Sequence, residues 1–177
     1  MGLPRLSARL GIVCSLVVFS AVASLAAAGG VRLHGIGASR HDFAVGKVPD
    51  PNPKLIKGCC FLPKQRDGRD RYYAVLYDER GHVDSYSMAF APSISIQAAK
   101  RAIRGELPGD AKLVFDVKRA GCEIVQYQSR LVGRALHDDG AVDAAMYSST
   151  TGGRFNRRTV TEIILLPGVP HDRSSGC

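Results

Sequence analysis

The chain has 177 residues, with 24 Lys and Arg against 16 Asp and Glu, a net charge of +8 and five cysteines. This length is typical of one domain and is enough to build a hydrophobic core, which excludes a scaffold held together by disulfides alone. The sequence contains no common catalytic motif, so it indicates neither a substrate nor a reaction.

The first 28 residues predict export. Arg5 and Arg9 precede an uncharged run over residues 10–28, and Ala26 and Ala28 fit an A-x-A cleavage site. The run is also long enough to be a membrane span, so a retained N-terminal anchor is the alternative to a cleaved signal peptide. Both interpretations place the body outside the cytoplasm, either secreted or anchored to the membrane through residues 10–28.

We call residues 1–28 the leader. Its removal from the 177 residues leaves 149, and the loss of Arg5 and Arg9 lowers the net charge from +8 to +6. Residues 29–58 are rich in Gly and Pro and predict an extended linker. We expect a single domain over residues 59–168 and a polar tail over residues 169–177.

The domain begins with a predicted hairpin in the run RYYAVLYDERGHVDSYSMAF, which turns at residues 78–81. In its second strand Tyr86, Met88 and Phe90 share one face. A helix follows, with Ser95 as its N-cap and an apolar stripe formed by Ile96, Ala99, Ile103 and Leu107.

The rest of the domain predicts four more strands and a shorter helix. AKLVFDVKR is a strand with Leu113, Phe115 and Val117 on one face, and CEIVQYQ is the next strand. SRLVGRALHDDG predicts the second helix, and AVDAAMYSS and RTVTEIILLPG are the last two strands. The resulting order, β-β-α-β-β-α-β-β, predicts an α+β domain: a mostly antiparallel sheet with two helices on one face.

Four cysteines follow the leader, and an even number in an exported domain predicts disulfides. Cys59 and Cys60 are adjacent, and neighbouring Cα atoms are too close for an ordinary disulfide. We therefore expect Cys122 to be bonded to Cys60, or alternatively to Cys59, with Cys177 joining the remaining cysteine. Zinc and C-x-x-C redox spacings are lacking, so we expect neither a metal site nor a cofactor.

The sequence GRFNRR provides the candidate binding site. Arg154, Arg157 and Arg158 surround Phe155 between two strands, and this cluster is expected to meet an anionic partner. One aromatic residue is too little for base stacking, so nucleic acid is not the expected partner. The cluster formed by Lys100, Arg101 and Arg104 is interpreted as an ordinary solvated helix face.

We therefore expect an exported or membrane-tethered, non-catalytic domain that binds a protein or an anionic envelope component. The alternative is a small extracytoplasmic enzyme whose site is built from scattered residues such as His82, Asp84 and Cys60. The sequence predicts no oligomeric state.

Overall fold

A computed structural model describes residues 32–51, 60–63, 70–148 and 158–172 of the chain. Within these ranges it contains a mostly antiparallel sheet with helices, which confirms the predicted α+β class. The elements are, in chain order, α1 Arg40–Ala44, β1 Lys47–Pro49, β2 Cys60–Pro63, β3 Asp70–Tyr77, β4 Val83–Ser95, α2 Ile96–Glu106, β5 Lys112–Lys118, β6 Glu123–Gln128, α3 Arg130–Leu136, β7 Ala141–Tyr147 and β8 Thr159–Pro167.

All eight described strands form one sheet in the order β1-β2-β3-β4-β8-β7-β6-β5. Every neighbouring pair is antiparallel. Strands β4 and β8 meet at the centre, so the last strand of the domain joins its two halves. As a result, α2 and α3 follow strands that lie on different sides of the sheet centre.

One face of this sheet carries the main core. The pairs Tyr86↔Leu165 and Met88↔Ile163 lie across the central strands, and all four side chains are buried. The predicted alternation of Tyr86, Met88 and Phe90 is confirmed, because all three are at most 6% exposed. Buried residues of α2 and α3 belong to the same core, and they are Ala99, Ile103 and Val132.

Both longer helices begin at a serine that caps the helix. Ser95 Oγ accepts a hydrogen bond from the backbone N–H of Ala98, which confirms the predicted start of α2. Ser129 Oγ accepts in the same way from Val132 N–H at the start of α3. The turn after α3 returns close to this cap: Gly140 has φ +73°, and a Cβ there would collide with the carbonyl oxygen of Ser129.

The predicted linker is partly incorporated into the domain. Helix α1 and strand β1 lie within residues 29–58, and β1 pairs with β2 through Val48↔Leu62. Phe43 is completely buried and Ile36 is 1% exposed. These apolar residues are separated by Gly, Pro and charged residues, so the sequence shows no helical or strand period that would reveal their burial.

The predicted face of β5 is also corrected. A bulge lies between Leu113 and Phe115, which pair with Tyr127 and Gln126 respectively. The extra residue reverses the alternation, so Leu113 is 59% exposed while Phe115 is 7% exposed. Strict period-two counting does not detect such an insertion.

Among the described residues, no helix is both long and apolar enough to span a bilayer. The predicted leader at 1–28 lies outside these residues. Export, cleavage and anchoring therefore stay predictions.

Candidate functional site

A basic pocket of about 500 Å³ opens where α2, the α2–β5 turn, the end of β6 and α3 meet. We call it the basic pocket and define it by its lining residues: Arg104, Gly109, Asp110, Ala111, Lys112, Gln128, Arg130, Leu131 and Arg134. Four of these nine residues are cationic and one is acidic. Its volume lies within the range of about 300–1,000 Å³ that is usual for small-molecule sites.

Arg104 is held in place by two contacts. Its guanidinium donates a hydrogen bond of 2.5 Å to the carbonyl oxygen of Ala111. The same group lies 5.7 Å from the ring centroid of Tyr127, within the range of a cation–π contact. Arg104 is therefore a cation oriented at the pocket wall, although the residue is exposed to solvent.

Tyr127, the aromatic residue beside Arg104, is neutral because of its surroundings. Burial raises the pKa of the Tyr127 phenol above its usual value of 10.0, while the nearby positive charge of Arg104 lowers it. Because burial is the larger effect, the phenol stays neutral at physiological pH. It therefore supports Arg104 without adding a negative charge to the pocket.

Asp110, the single acidic residue of the lining, is occupied by the start of α3. Its Oδ1 accepts a hydrogen bond of 2.7 Å from Ser129 Oγ, and its Oδ2 accepts one of 3.2 Å from Leu131 N–H. Both carboxylate oxygens thus face protein donors. Asp110 fixes α3 against the α2–β5 turn and offsets only part of the positive charge of the pocket.

The remaining cations are more exposed than the groups that hold Arg104. Arg130 and Arg134 are four residues apart on α3 and so share one side of it, and Lys112 begins β5. All three residues are exposed. Together with Arg104 they give an accessible pocket with an excess of positive charge, which suits an anionic ligand.

Sequence analysis missed this pocket. Arg104 was assigned to a solvated helix face, and Lys112, Arg130 and Arg134 were not proposed as binding residues. The i,i+4 spacing of Arg130 and Arg134 is a signal for a basic side of α3. The sequence alone does not show that this side lies against the end of α2.

The predicted arginine cluster is described only at its last member. Arg154, Phe155 and Arg157 lie outside the described residues, whereas Arg158 is exposed immediately before β8. Strand β8 starts at Thr159, which pairs with Ser95 at the beginning of α2. Arg104 lies near the other end of this helix, about 14 Å from Ser95 at 1.5 Å per residue, and Arg158 is not a lining residue of the basic pocket.

Two of the predicted cysteines are described. Cys60 and Cys122 are each disulfide-bonded and buried, whereas Cys59 and Cys177 lie outside the described residues. Cys60 and Cys122 both belong to disulfides, as the sequence predicts for them, and the pairing of Cys122 with Cys60 or Cys59 stays a prediction.

The structure does not bring Cys60 next to His82, two residues of the alternative enzyme hypothesis. Across the sheet, Cys60 pairs with Ala74, and Ala74 pairs with Ser87. His82 lies five residues before Ser87, at the end of a turn, so it is distant from Cys60 both across and along the strands. His82 Nδ1 is 3.7 Å from Asp78 Oδ2, and Asp78 also accepts hydrogen bonds from two backbone N–H groups in that turn. These contacts assign His82 and Asp78 to turn structure.

An ion pair with one completely buried carboxylate ties α2 to the sheet. Lys100 Nζ is 2.6 Å from Glu123 Oε1 and 2.5 Å from Asp116 Oδ2, and the Glu123 side chain is completely buried. Burial alone would lower the pKa of Lys100, but the hydrogen bonds to Asp116 and Glu123 outweigh it and raise the pKa above 10.5. This lysine stays charged and ties α2 to β5 and β6.

A second polar cluster joins the N-terminal segment to the sheet. Glu106 accepts hydrogen bonds from the hydroxyls of Tyr73 and Tyr86, at 3.4 and 3.3 Å. Lys47 Nζ lies 4.0 Å from the ring centroid of Phe43 and donates to the Phe43 carbonyl oxygen. We interpret the cluster as structural, because the Glu106 carboxylate accepts hydrogen bonds from the hydroxyls of two tyrosines that are at most 3% exposed.

The described part of the chain contains no group of three or more His, Cys, Asp and Glu residues arranged to hold a metal ion. The prediction of no metal and no cofactor stays a prediction. No protein-family model, curated protein or solved structure matches this chain. The functional argument therefore depends on the site itself.

Proposed function

We propose that this protein is an exported or membrane-tethered, non-catalytic domain that binds an anionic component of its surroundings through the basic pocket. The observation that carries the proposal is the charge of the lining: four cations surround a cavity in which the single carboxylate is engaged by Ser129 and Leu131.

Binding agrees better with this geometry than catalysis does. Arginine stays protonated at any physiological pH and therefore serves as an anion ligand and not as a general base. The lining contains no histidine, cysteine, serine or tyrosine to act as a nucleophile or proton carrier. A pocket of this composition holds a negative charge without acting on it.

The leader supports a location outside the cytoplasm. If Ala26 and Ala28 form the cleavage site, N-terminal sequencing of the exported protein should begin at Gly29. A membrane-bound product that keeps Met1 or Gly2 would establish an anchor in its place. The predicted β-β-α-β-β-α-β-β order, with its two helices on one face, is our proposed framework for presenting the pocket in either form.

Retention on anionic vesicles at several salt concentrations tests the function. Wild type should be retained at low salt and released as the Debye length falls from about 10 Å at 0.1 M to about 3 Å at 1 M. The double variant Arg130→Gln/Arg134→Gln should lose most of this retention. The double variant Arg101→Gln/Lys118→Gln is the control, because it removes the same charge from exposed positions outside the pocket.

A second surface is tested in the same assay. The variant Arg154→Gln/Arg157→Gln/Arg158→Gln removes the cluster around Phe155 that the sequence proposes as an anion site. Loss of retention in this variant alone would move the function to that cluster. If the pocket variant and its control lose equal amounts of retention, net charge alone explains vesicle binding, and a specific site is contradicted.

A further inference from the structure

We infer that the ligand of the basic pocket carries a phosphoryl group with two or more negative charges. This inference rests on the proposed function and specifies its ligand. The charge, donor geometry and size of the pocket favour such a ligand over simpler anions.

Charge comes first. With four cations and one engaged carboxylate, the lining keeps an excess of three positive charges. A monocarboxylate would neutralise only one of them, and the remaining cations would still repel one another. A phosphomonoester or a diphosphate brings two or more charges on closely spaced oxygens and matches this excess better.

Donor geometry favours a tetrahedral group because the arginines come from two walls of the pocket. Three of the four cations are arginines, and their planar guanidinium groups present paired N–H donors to carboxylate and phosphate oxygens alike. Arg104 is already oriented by the Ala111 carbonyl and the Tyr127 ring, so little conformational freedom is lost when it binds. Arg130 and Arg134 approach from α3, on another wall of the cavity. A tetrahedral group with several oxygens can meet donors from both directions.

Size indicates that the phosphoryl group has a substituent. A cavity of about 500 Å³ is larger than a bare phosphate needs and suits a phosphorylated small molecule or a phosphorylated head group. Leu131 contributes an aliphatic side chain to the lining, and Ala111 contributes a small one. These residues leave room for an uncharged part of the ligand next to the cations.

Calorimetric titration of the purified protein with pyrophosphate, glucose 6-phosphate and citrate tests this ligand class. Citrate carries a charge comparable to that of pyrophosphate on carboxylates, so it is the matched control for charge. We expect pyrophosphate to bind at least about tenfold more tightly than citrate, the factor expected from one additional charge-assisted hydrogen bond, and glucose 6-phosphate, with fewer charges, to bind more weakly than pyrophosphate.

Arg104→Lys tests the guanidinium geometry because it keeps the charge. This variant should weaken pyrophosphate binding by about tenfold or more, because lysine cannot offer the paired N–H donors of the guanidinium group. Arg130→Gln/Arg134→Gln should weaken binding of both pyrophosphate and citrate. Arg101→Lys is the control for a conservative change on the same helix, and circular dichroism of each variant verifies the fold.

Vesicles distinguish the source of the phosphoryl group. Retention on phosphatidic acid vesicles that pyrophosphate competes away would support a lipid head group. Binding of glucose 6-phosphate without retention on these vesicles would support a soluble phosphorylated compound. Both outcomes support a phosphoryl ligand.

Citrate binding as tight as pyrophosphate binding would overturn the phosphoryl inference. If vesicle retention still depended on Arg130 and Arg134, the proposed function would stand without it. Pyrophosphate binding that Arg130→Gln/Arg134→Gln leaves unchanged would place the phosphoryl site elsewhere and also overturn the inference.

Discussion

Replacing Lys100 with methionine tests the ion pair between this lysine and the buried carboxylate of Glu123. The change removes the ammonium group that lies 2.6 Å from Glu123 Oε1 and leaves this completely buried carboxylate without its cation. Removing one partner of a buried pair typically costs about 3–5 kcal/mol. Because the Lys100 side chain is 34% exposed, water screens part of the interaction, and we expect a loss of about 2–4 kcal/mol.

Thermal and urea unfolding measure this loss. For a domain of this size each kcal/mol corresponds to about 2–4 °C, so the melting temperature of Lys100→Met should fall by roughly 4–16 °C. Arg101→Met is the matched control, since the neighbouring residue is exposed and should change stability by less than about 0.5 kcal/mol.

A double-mutant cycle separates charge from packing. Adding Glu123→Gln to Lys100→Met removes the buried charge, so the double variant should be at least about 1 kcal/mol more stable than the sum of the single effects. Additive effects, or a Lys100→Met variant as stable as Arg101→Met, would refute the assignment of Lys100 as the cation that stabilises Glu123.

Three further predictions follow from the described contacts. Gly140→Ala should lower the free energy of unfolding by at least about 2 kcal/mol, because φ is +73° and the new Cβ would collide with the Ser129 carbonyl. Gly105→Ala on α2 should instead raise it by about 0.5–1 kcal/mol. Equal urea midpoints for both variants would contradict this contrast. Burial, and after it the charge of Glu106, hold the pKa of Tyr86 well above 10.0 in the folded protein. Above about pH 10 the unfolded chain releases this proton while the folded chain keeps it, so the free energy of unfolding should fall as the pH rises further. In Tyr86→Phe that fall should be shallower, and an identical pH profile of the two proteins would show that Tyr86 does not contribute. Non-reducing peptide mapping should find Cys122 in a disulfide with Cys60 or, alternatively, with Cys59, and a free thiol at Cys122 would contradict the predicted bond.

The sequence predicted the elements in which periodicity and caps agree. Ser95 and the stripe that includes Ala99 and Ile103 defined α2 because an N-cap and a 3.6-residue period point to the same start and the same buried face. Likewise, Met88 and its alternating neighbours identified the buried face of β4, since period two fixes which side chains share a side.

Features that depend on contacts distant in sequence were not predictable. Phe43 is buried by elements that come later in the chain, so its Gly- and Pro-rich surroundings indicated a linker. The bulge at β5 depends on pairing with β6, which alternation within β5 does not reveal. The basic pocket combines Arg104 with Arg130 and Arg134, and only the packing of α3 beside the end of α2 brings these arginines together.

Chemical-shift mapping of the isotope-labelled protein during titration with pyrophosphate tests the basic pocket most directly. We predict that the largest amide and guanidinium shifts occur at Arg104, residues 109–112, Gln128 and residues 130–134, and that they saturate with one ligand per chain. Shifts confined to residues 154–158, or weak shifts spread over all exposed lysines and arginines without saturation, would contradict the basic pocket as the anion-binding site.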